Sequence, residues 1–235
     1  MTSAYVTGVG VWTPEVSAEP SCALLPSRLA RRASLLTRMA AAVMAEAAPA
    51  EILAYVPTVY GTAYGESETL VALLEMLTAD GQYSPARFSG SVNNTASGTL
   101  SIATGNRAVS TAISAGNETV AMGLLECFGL LDERGGEVLL VLSEEAPGAP
   151  FNRPGLSPMA TAFLLSREKR RGSFARLDQW RRGSAPCLVP PAFSTTPVAP
   201  SLGLVSAIRE RRAGPIALSF STDHGCIIDV IPEPA

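Results

Sequence analysis

Residues 85–127 read PARFSGSVNNTASGTLSIATGNRAVSTAISAGNETVAMGLLEC, and this stretch decides the fold of the chain. Residues 85–94 are rich in Pro, Gly, Ser and Asn, which predicts a loop. Small residues over 95–105 end in a glycine, which predicts a short, tightly packed helix. Residues 108–115 are uncharged and small or β-branched, so they predict a strand buried on both faces.

A helix of a different kind follows this strand. Asn117 is suited to cap it, and Glu118 places an acid in its first turn. From Val120 to Leu131 the residues are apolar or glycine, with Glu126 as the interruption. A helix that is apolar all round must be covered all round, either by other layers of a sandwich or by the tail of its own chain.

The rest of the chain alternates strand and helix patterns. The periodicity predicts strands over 4–12, 52–63, 137–143 and 160–168, and helices over 27–48 and 67–80. Pro57 predicts that the second of these strands lies at an edge or is broken. The predicted order over 4–168 is therefore β-α-β-α-loop and short helix-β-α-β-β.

The C-terminal part has another composition. Residues 169–214 are basic with proline-rich loops, and a helix is predicted over 201–212. Apolar runs at 215–221 and 226–231, joined by Thr-Asp-His-Gly, predict a β-hairpin. We therefore divide the chain into a main unit, 1–168, and a C-terminal extension, 169–235, packed on the same domain.

Composition excludes several classes of function. The chain has 235 residues, 47% hydrophobic and 17% charged, with a net charge of −3. This charge argues against nucleic acid and membrane surfaces, and no apolar run is long enough to span a bilayer. No signal peptide pattern is present, and the four cysteines lack metal-binding spacing and need no disulfides. We expect a cytoplasmic protein without metal or cofactor.

The stretch from Pro85 to Cys127 resembles the acyl-enzyme region of the β-ketoacyl synthases, which have the thiolase fold. In that family a similar loop, short helix and buried strand lead to Ser-Thr-Ala-Cys, whose cysteine attacks an acyl thioester. Here Ser110, Thr111 and Ala112 stand in place, and Ile113 follows. Isoleucine has no nucleophilic atom, so acyl transfer cannot run at this position.

The resemblance implies an α/β fold: one half of a thiolase-like fold, with a mixed five-stranded sheet and helices, plus a C-terminal extension with a β-hairpin. In that fold the apolar helix lies in a central layer. The second half of a complete ketoacyl synthase supplies two catalytic histidines, whereas this chain has one histidine, His224. The chain is most similar to truncated, chain-length-factor-like proteins that accompany a full ketosynthase in aryl polyene and type II polyketide systems.

The resemblance implies a heterodimer with a full-length β-ketoacyl synthase, which carries the cysteine and both histidines. Acyl carrier protein would be reached through that partner. This chain would stabilise the partner and shape its acyl tunnel, with no activity alone. The strand before the nucleophile position would pair with its counterpart across the interface. The residues predicted at the interface or tunnel are Phe88, Asn93, Asn94, Thr95, Leu100, Val109, Ser110, Thr111, Ala112, Ile113 and Ser114.

Two alternatives stay open at this point. The chain is an independent acyl-thioester decarboxylase or hydrolase that uses Ser114 or His224, although Asp-His-Gly between two apolar runs is typical of a turn. Or it is a stand-alone module that binds acidic acyl carrier protein, for which the arginines of the 27–48 helix offer a basic face. The Glu144–Glu145 pair is interpreted as exposed acids at a strand end.

Overall fold

In a computed structural model the chain is described over residues 3–82, 84–221 and 225–234. One mixed sheet runs through this part, with the strand order β3-β2-β4-β5-β1-β6-β8-β7. The strands are β1 (Ala4–Trp12), β2 (Thr58–Gly61), β3 (Ser110–Ile113), β4 (Glu137–Glu144), β5 (Met159–Ser166), β6 (Ala175–Arg182), β7 (Gly214–Ala217) and β8 (Cys226–Pro232). Strands β2, β3 and β4 are parallel, and the other pairs are antiparallel.

Helices cover both faces of this sheet. They are α1 (Ser27–Ala30), α2 (Leu35–Ala47), α3 (Ala50–Leu53), α4 (Ser67–Asp80), α5 (Pro85–Phe88), α6 (Thr95–Thr104), α7 (Thr119–Arg134) and α8 (Pro200–Arg209). Helices α2 and α6 pack in the apolar cluster on one face, and α7 and α8 in the cluster on the other. The side chains of β4 alternate between the two clusters, as a strand buried on both faces requires.

Two glycines of β1 let α2 lie directly on the sheet. A Cβ atom at Gly8 would overlap the backbone carbonyl of Ala47, and one at Gly10 would overlap that of Val43. Any larger residue at either position would push α2 away from β1. These glycines are therefore required by packing and not by a turn.

The predicted α/β class is confirmed, but over the described residues the sheet has eight strands and not five. Strand β6 was not predicted, and β7 and β8, the predicted hairpin strands, join the same sheet. A bulge between Asp178 and Arg181, with Gln179 at a φ of 53°, interrupts the alternation of β6. Because the alternation is interrupted, the apolar periodicity of the sequence did not predict this strand. The turn residues Thr222, Asp223 and His224 lie outside the described residues.

Three predicted elements have different bounds in the structure. The helix expected over 27–48 is divided, and Ser34 caps α2 by accepting a hydrogen bond from the Thr37 amide. The strand expected over 52–63 is shorter because α3 occupies its start, and β2 begins directly after Pro57 in the sheet interior. Helix α5 falls within the loop expected over 85–94.

The strand expected over 108–115 is not buried on both faces. Strand β3 lies at the edge of the sheet, and Ser110 and Ala112 are exposed. Helix α7 starts after a 3-10 turn at Gly116–Glu118, so Asn117 does not cap it. Instead the Thr119 hydroxyl accepts from the Ala115 amide and donates to the Gly116 carbonyl.

The apolar helix α7 is largely covered by its own chain. The Trp180 indole donates to the Ala121 carbonyl at 3.1 Å, and Phe193 and α8 share the apolar cluster of α7. Met122 and Leu125 stay only partly buried. Within the described residues, no helix is long and apolar enough to cross a membrane.

Candidate functional site

Strand β3 presents one unpaired side. The amides of Thr58 and Thr62 donate to the carbonyls of Val109 and Ile113 at 2.9 and 3.1 Å. Because the backbone groups of successive strand residues point to opposite sides, Ser110 and Ala112 direct their N–H and C=O groups away from β2. No strand of the described chain pairs with that side, which we call the open edge.

The side chains of residues 109–113 also alternate between a packed face and an exposed face. Val109 and Ile113 pack against the cluster that contains α7, while Ser110 and Ala112 are exposed. The side chain at the expected nucleophile position is therefore a packed aliphatic group. The next hydroxyl, that of Ser114, donates to the Ala63 carbonyl at 2.9 Å. A neutral carbonyl cannot take up its proton, so this hydrogen bond does not activate the Ser114 hydroxyl.

Large apolar side chains are exposed on α4 and on α6, the helix that contacts β3. Helix α4 exposes 45% of Leu70, 48% of Leu74 and 42% of Leu77, which together we call the leucine face. The hydrogen bond from Ser114 to Ala63 joins the end of β3 to the segment that leads into α4. Ile102, on the adjoining α6, is 73% exposed, and Phe88 and Val92 are exposed as well.

The other residues predicted at the interface or tunnel are partly at the surface and partly in the core. Asn93 and Asn94 are exposed, and a Cβ atom at Gly65, whose φ is +63°, would overlap the Asn93 side chain. Thr95 opens α6 and its hydroxyl donates to the Ser89 carbonyl at 3.3 Å. Leu100 is 3% exposed and lies in the core under α2, so Ile102 is the apolar side chain that α6 presents.

A cavity under α6, lined by Tyr60, Leu100 and Val141 among others, is about 10 Å³ in volume. That volume holds one water at most, so an acyl chain does not fit there. Among the described residues, no three His, Cys, Asp or Glu side chains are grouped to hold a metal ion. His224 lies outside the described residues.

The prediction that Glu144 and Glu145 are exposed is wrong, because they are 0% and 1% exposed. Glu144 accepts hydrogen bonds from the Thr62 hydroxyl at 3.0 Å and from the amides of Ala63 and Tyr64 at 2.7 and 3.1 Å. Glu145 accepts from the Ser67 hydroxyl at 3.3 Å and from the Glu68 amide at 2.8 Å. Glu145 thus caps the N-terminus of α4 from another element.

A third acid, Glu66, completes this group and was not singled out in the sequence. Its carboxylate accepts from the hydroxyls of Ser34 and Thr37 at 3.0 and 3.2 Å. Burial raises the pKa of Glu66, and it raises the pKa of Glu144 and of Glu145 to about 7. The pair of acids at the end of β4 was visible in the sequence, but its burial was not, because that depends on the segment between β2 and α4 that folds over it.

The fold and the open edge can now be compared with known proteins. A family model described as "Beta-ketoacyl synthase, N-terminal domain" matches residues 9–186, more than half of the chain. The chain therefore belongs to the β-ketoacyl synthase N-terminal domain family. A search of curated proteins finds no match.

Solved structures share the fold over nearly the whole chain. A chain of the ketosynthase ApeO in complex with its chain length factor ApeC, from Xenorhabdus doucetiae, is similar with a TM-score of 0.76 and 21% identity, covering 98% of this chain and 100% of that one. A chain of AntDE:AntF, a type II acyl-carrier protein in complex with its ketosynthase, gives 0.77 and 14%, covering 99% and 100%. The ishigamide ketosynthase/chain length factor gives 0.71 and 13%, covering 99% and 100%. The predicted thiolase-like fold is confirmed by these similarities.

Proposed function

We propose that this chain is a non-catalytic, chain-length-factor-like subunit that forms a heterodimer with a full-length β-ketoacyl synthase. The observation that carries the proposal is the open edge of β3. It has an aliphatic side chain, Ile113, where the family places its cysteine, and an unpaired backbone on its outer side. A strand of this kind serves to pair with another strand and not to attack a thioester.

The chemistry of β3 supports pairing with another protein. Strand edges that are left solvent-exposed are usually protected by charge, proline or a bulge. Residues 110–113 contain no charge and no proline, and β3 pairs with β2 without a bulge. The leucine face and Ile102 extend the apolar surface beside it. Strand pairing supplies orientation, and the apolar side chains supply buried area.

The surface next to the open edge supports a role in shaping an acyl tunnel. Phe88, Asn93 and Asn94 are exposed just before or at the start of α6, the helix that contacts β3, which supports a place in a cavity that the partner completes. The cavity under α6, next to this surface, is too small for an acyl chain, and the proposal therefore places the tunnel between the subunits. The partner supplies the cysteine and histidines and binds acyl carrier protein. The product is a polyketide or an aryl polyene, made in the cytoplasm.

Structures of similar fold include complexes that contain a chain length factor, which supports the same proposal. The far end of the sheet, formed by β6, β8 and β7, lies at the opposite side from β3. The same C-terminal part also reaches back to α7, where the Trp180 indole donates to the Ala121 carbonyl at 3.1 Å and Arg182 lies 3.9 Å from Glu118.

The test is the native mass of this chain, purified alone and after co-expression with the full ketosynthase encoded beside it. We expect a one-to-one complex, and no thioester turnover by the chain alone. The Ser110→Arg variant places a charge on the exposed side of β3, away from the α7 cluster, and should weaken the complex. A monomer or homodimer that ignores the ketosynthase would overturn the proposal.

A further inference from the structure

A cavity of about 420 Å³ lies in the C-terminal part of the chain. Its walls are residues 172–174 before β6, the end of α8 with Ile208, Arg209 and Arg211, and residues 233–234 after β8. Small-molecule sites in proteins have volumes of roughly 300–1,000 Å³. Unlike the cavity under α6, this cavity therefore has room for an organic molecule.

The part of the chain that forms this cavity is basic. Residues 169–235 contain nine Lys or Arg and five Asp or Glu, whereas residues 1–168 contain nine and sixteen. The acidic net charge of the chain thus comes from the main unit, and the C-terminal extension is positive. A concave surface within a positive region attracts negatively charged ligands.

The charged groups of the walls leave cationic donors available to a ligand. The wall acid, Glu233, has its carboxylate paired with Lys169. Arg209 contacts Glu46 on α2 through Nη2 at 3.3 Å, and Arg211 donates through Nη2 to the Glu233 carbonyl. Among the described residues, Arg211 forms no ion pair. A guanidinium has five N–H donors, so both arginines keep donors for a further acceptor.

Arg211 occupies a backbone position that usually belongs to glycine. Its φ is 55°, and its amide donates to the Ile208 carbonyl at 3.2 Å, while the Arg212 amide donates to the Ala207 carbonyl at 2.9 Å. Helices that end with this pair of hydrogen bonds commonly have glycine at the left-handed position, because a Cβ atom is unfavourable there. A long cation kept at such a position indicates that its side chain has a role besides ending the helix.

An aromatic ring stands beside these cations. Phe174 is 48% exposed although its backbone is fixed on both sides. Its amide donates to the Val6 carbonyl at 2.8 Å, and its carbonyl accepts from the Glu233 amide at 3.0 Å. Ile208 and Pro234 add further apolar surface to the cavity. Apolar walls with a few convergent polar groups are typical of sites for organic ligands.

We propose that this cavity binds a small organic phosphate, with the phosphate on Arg209 and Arg211 and the carbon skeleton on Phe174 and Ile208. The planar guanidinium fork matches the geometry of phosphate oxygens, and two such groups match a doubly charged anion. Residues 170–171 are exposed arginines in the turn next to the cavity and add positive charge beside it. The inference goes beyond the proposed function, because none of these residues lies on β3, α4 or α6.

Calorimetric titration of the purified chain at low salt tests the site with phenyl phosphate as the probe. We expect phenyl phosphate to bind, inorganic phosphate to bind about tenfold more weakly because it lacks the ring, and phenol to bind more weakly still because it lacks the charge. In Phe174→Ala the affinity for phenyl phosphate should fall to that for inorganic phosphate, while the affinity for inorganic phosphate stays unchanged.

Arg211→Gly separates binding from a purely structural role. The affinity for phenyl phosphate should fall about tenfold, because a charge-assisted contact is lost. The melting temperature should not fall, because glycine suits the left-handed backbone at this position. Arg31→Gly removes the same charge from an exposed position far away in the sequence and should bind phenyl phosphate as the wild type does.

Four results would overturn the site: no binding of phenyl phosphate, equal binding of phenol, equal binding of inorganic phosphate, or an unchanged affinity in Arg211→Gly. A lower melting temperature with unchanged affinity in that variant would mean that Arg211 only ties the residues after β8 to the end of α8, as a cation near a helix C-terminus can do. If Arg211→Gly does not fold, Arg211→Gln gives the same comparison of affinities.

Discussion

The two edges of the sheet are built differently. At one edge, β3 is a run of Ser, Thr, Ala and Ile with no charge and no proline. At the other, β7 contains Pro215, and Arg211 and Arg212 precede it. The Leu218 amide donates to the Cys226 carbonyl, so alternation turns Ile216 toward β8 and Pro215 outward. Proline therefore occupies a position where an N–H group would otherwise face solvent.

This difference separates an edge that ends the sheet from an edge suited to continue it. Proline and nearby charge are standard protection against unwanted strand pairing. The same chain that protects β7 leaves β3 unprotected, beside exposed leucines. A protein with a general tendency to aggregate would not make this distinction. The asymmetry supports a specific partner at β3.

The largest expected effect is on the affinity for the ketosynthase when a charge is placed on the open edge, compared with the same charge placed on β7. Ala112→Arg places a guanidinium on the open edge, and we expect the affinity for the ketosynthase to fall by roughly 100-fold, as for a central interface position. Pro215→Arg places the same charge on the exposed outer position of β7 and should change the affinity less than about twofold. Titration of each variant with the ketosynthase measures both. Equal losses would mean that the two edges do not differ in function.

A smaller effect is expected on the leucine face. Leu74 is 48% exposed, so Leu74→Arg should leave the free energy of unfolding within about 0.5 kcal/mol of the wild type. Its affinity for the ketosynthase should fall by about tenfold, because a charge would enter the apolar contact. The neighbouring Glu75→Arg, also exposed, is the matched control. If both substitutions weaken binding equally, the affinity for the ketosynthase depends on the net charge of the chain and not on the leucine face.

The smallest expected effect is on the free energy of unfolding and does not involve binding to the ketosynthase. A Cβ atom at Gly98, on the exposed side of α6, meets nothing within 4 Å. Gly98→Ala should therefore raise the free energy of unfolding by roughly 0.5–1 kcal/mol through the lower entropy of the unfolded chain. Urea denaturation measures this value. Gly10→Ala is the opposite case, because its Cβ would overlap Val43, and it should lower stability. A loss of stability in Gly98→Ala would contradict the described packing of α6.

Some elements of the fold could be predicted from the sequence, and others could not. Strands β1, β4 and β5 and helices α2, α4 and α7 follow from apolar periodicity, which depends on local spacing. Strand β6 could not be predicted, because its bulge breaks the alternation and several of its side chains are charged. The 27–48 helix divides at Ser34, whose hydroxyl caps α2 by accepting from the Thr37 amide, and apolar periodicity alone does not show such a cap.

The candidate site was predicted in part. Ser110, Thr111, Ala112 and Ile113 were placed on one strand, and the structure puts that strand at the edge. The burial of Glu66, Glu144 and Glu145 was missed because the environment of a carboxyl group depends on what folds over it. Glu144 and Glu145 are buried by residues 62–68, about 80 positions earlier in the chain.

The sequence by itself determined the family resemblance, the α/β alternation and the absence of a nucleophile at Ile113, because each of these depends on residue identity and local spacing. Only the tertiary structure decided which strands lie at the edges, which apolar side chains stay exposed and which acids are buried. Those properties depend on contacts between residues far apart in the chain. Edge position, exposure and burial are relations between elements, and no single stretch of sequence contains them.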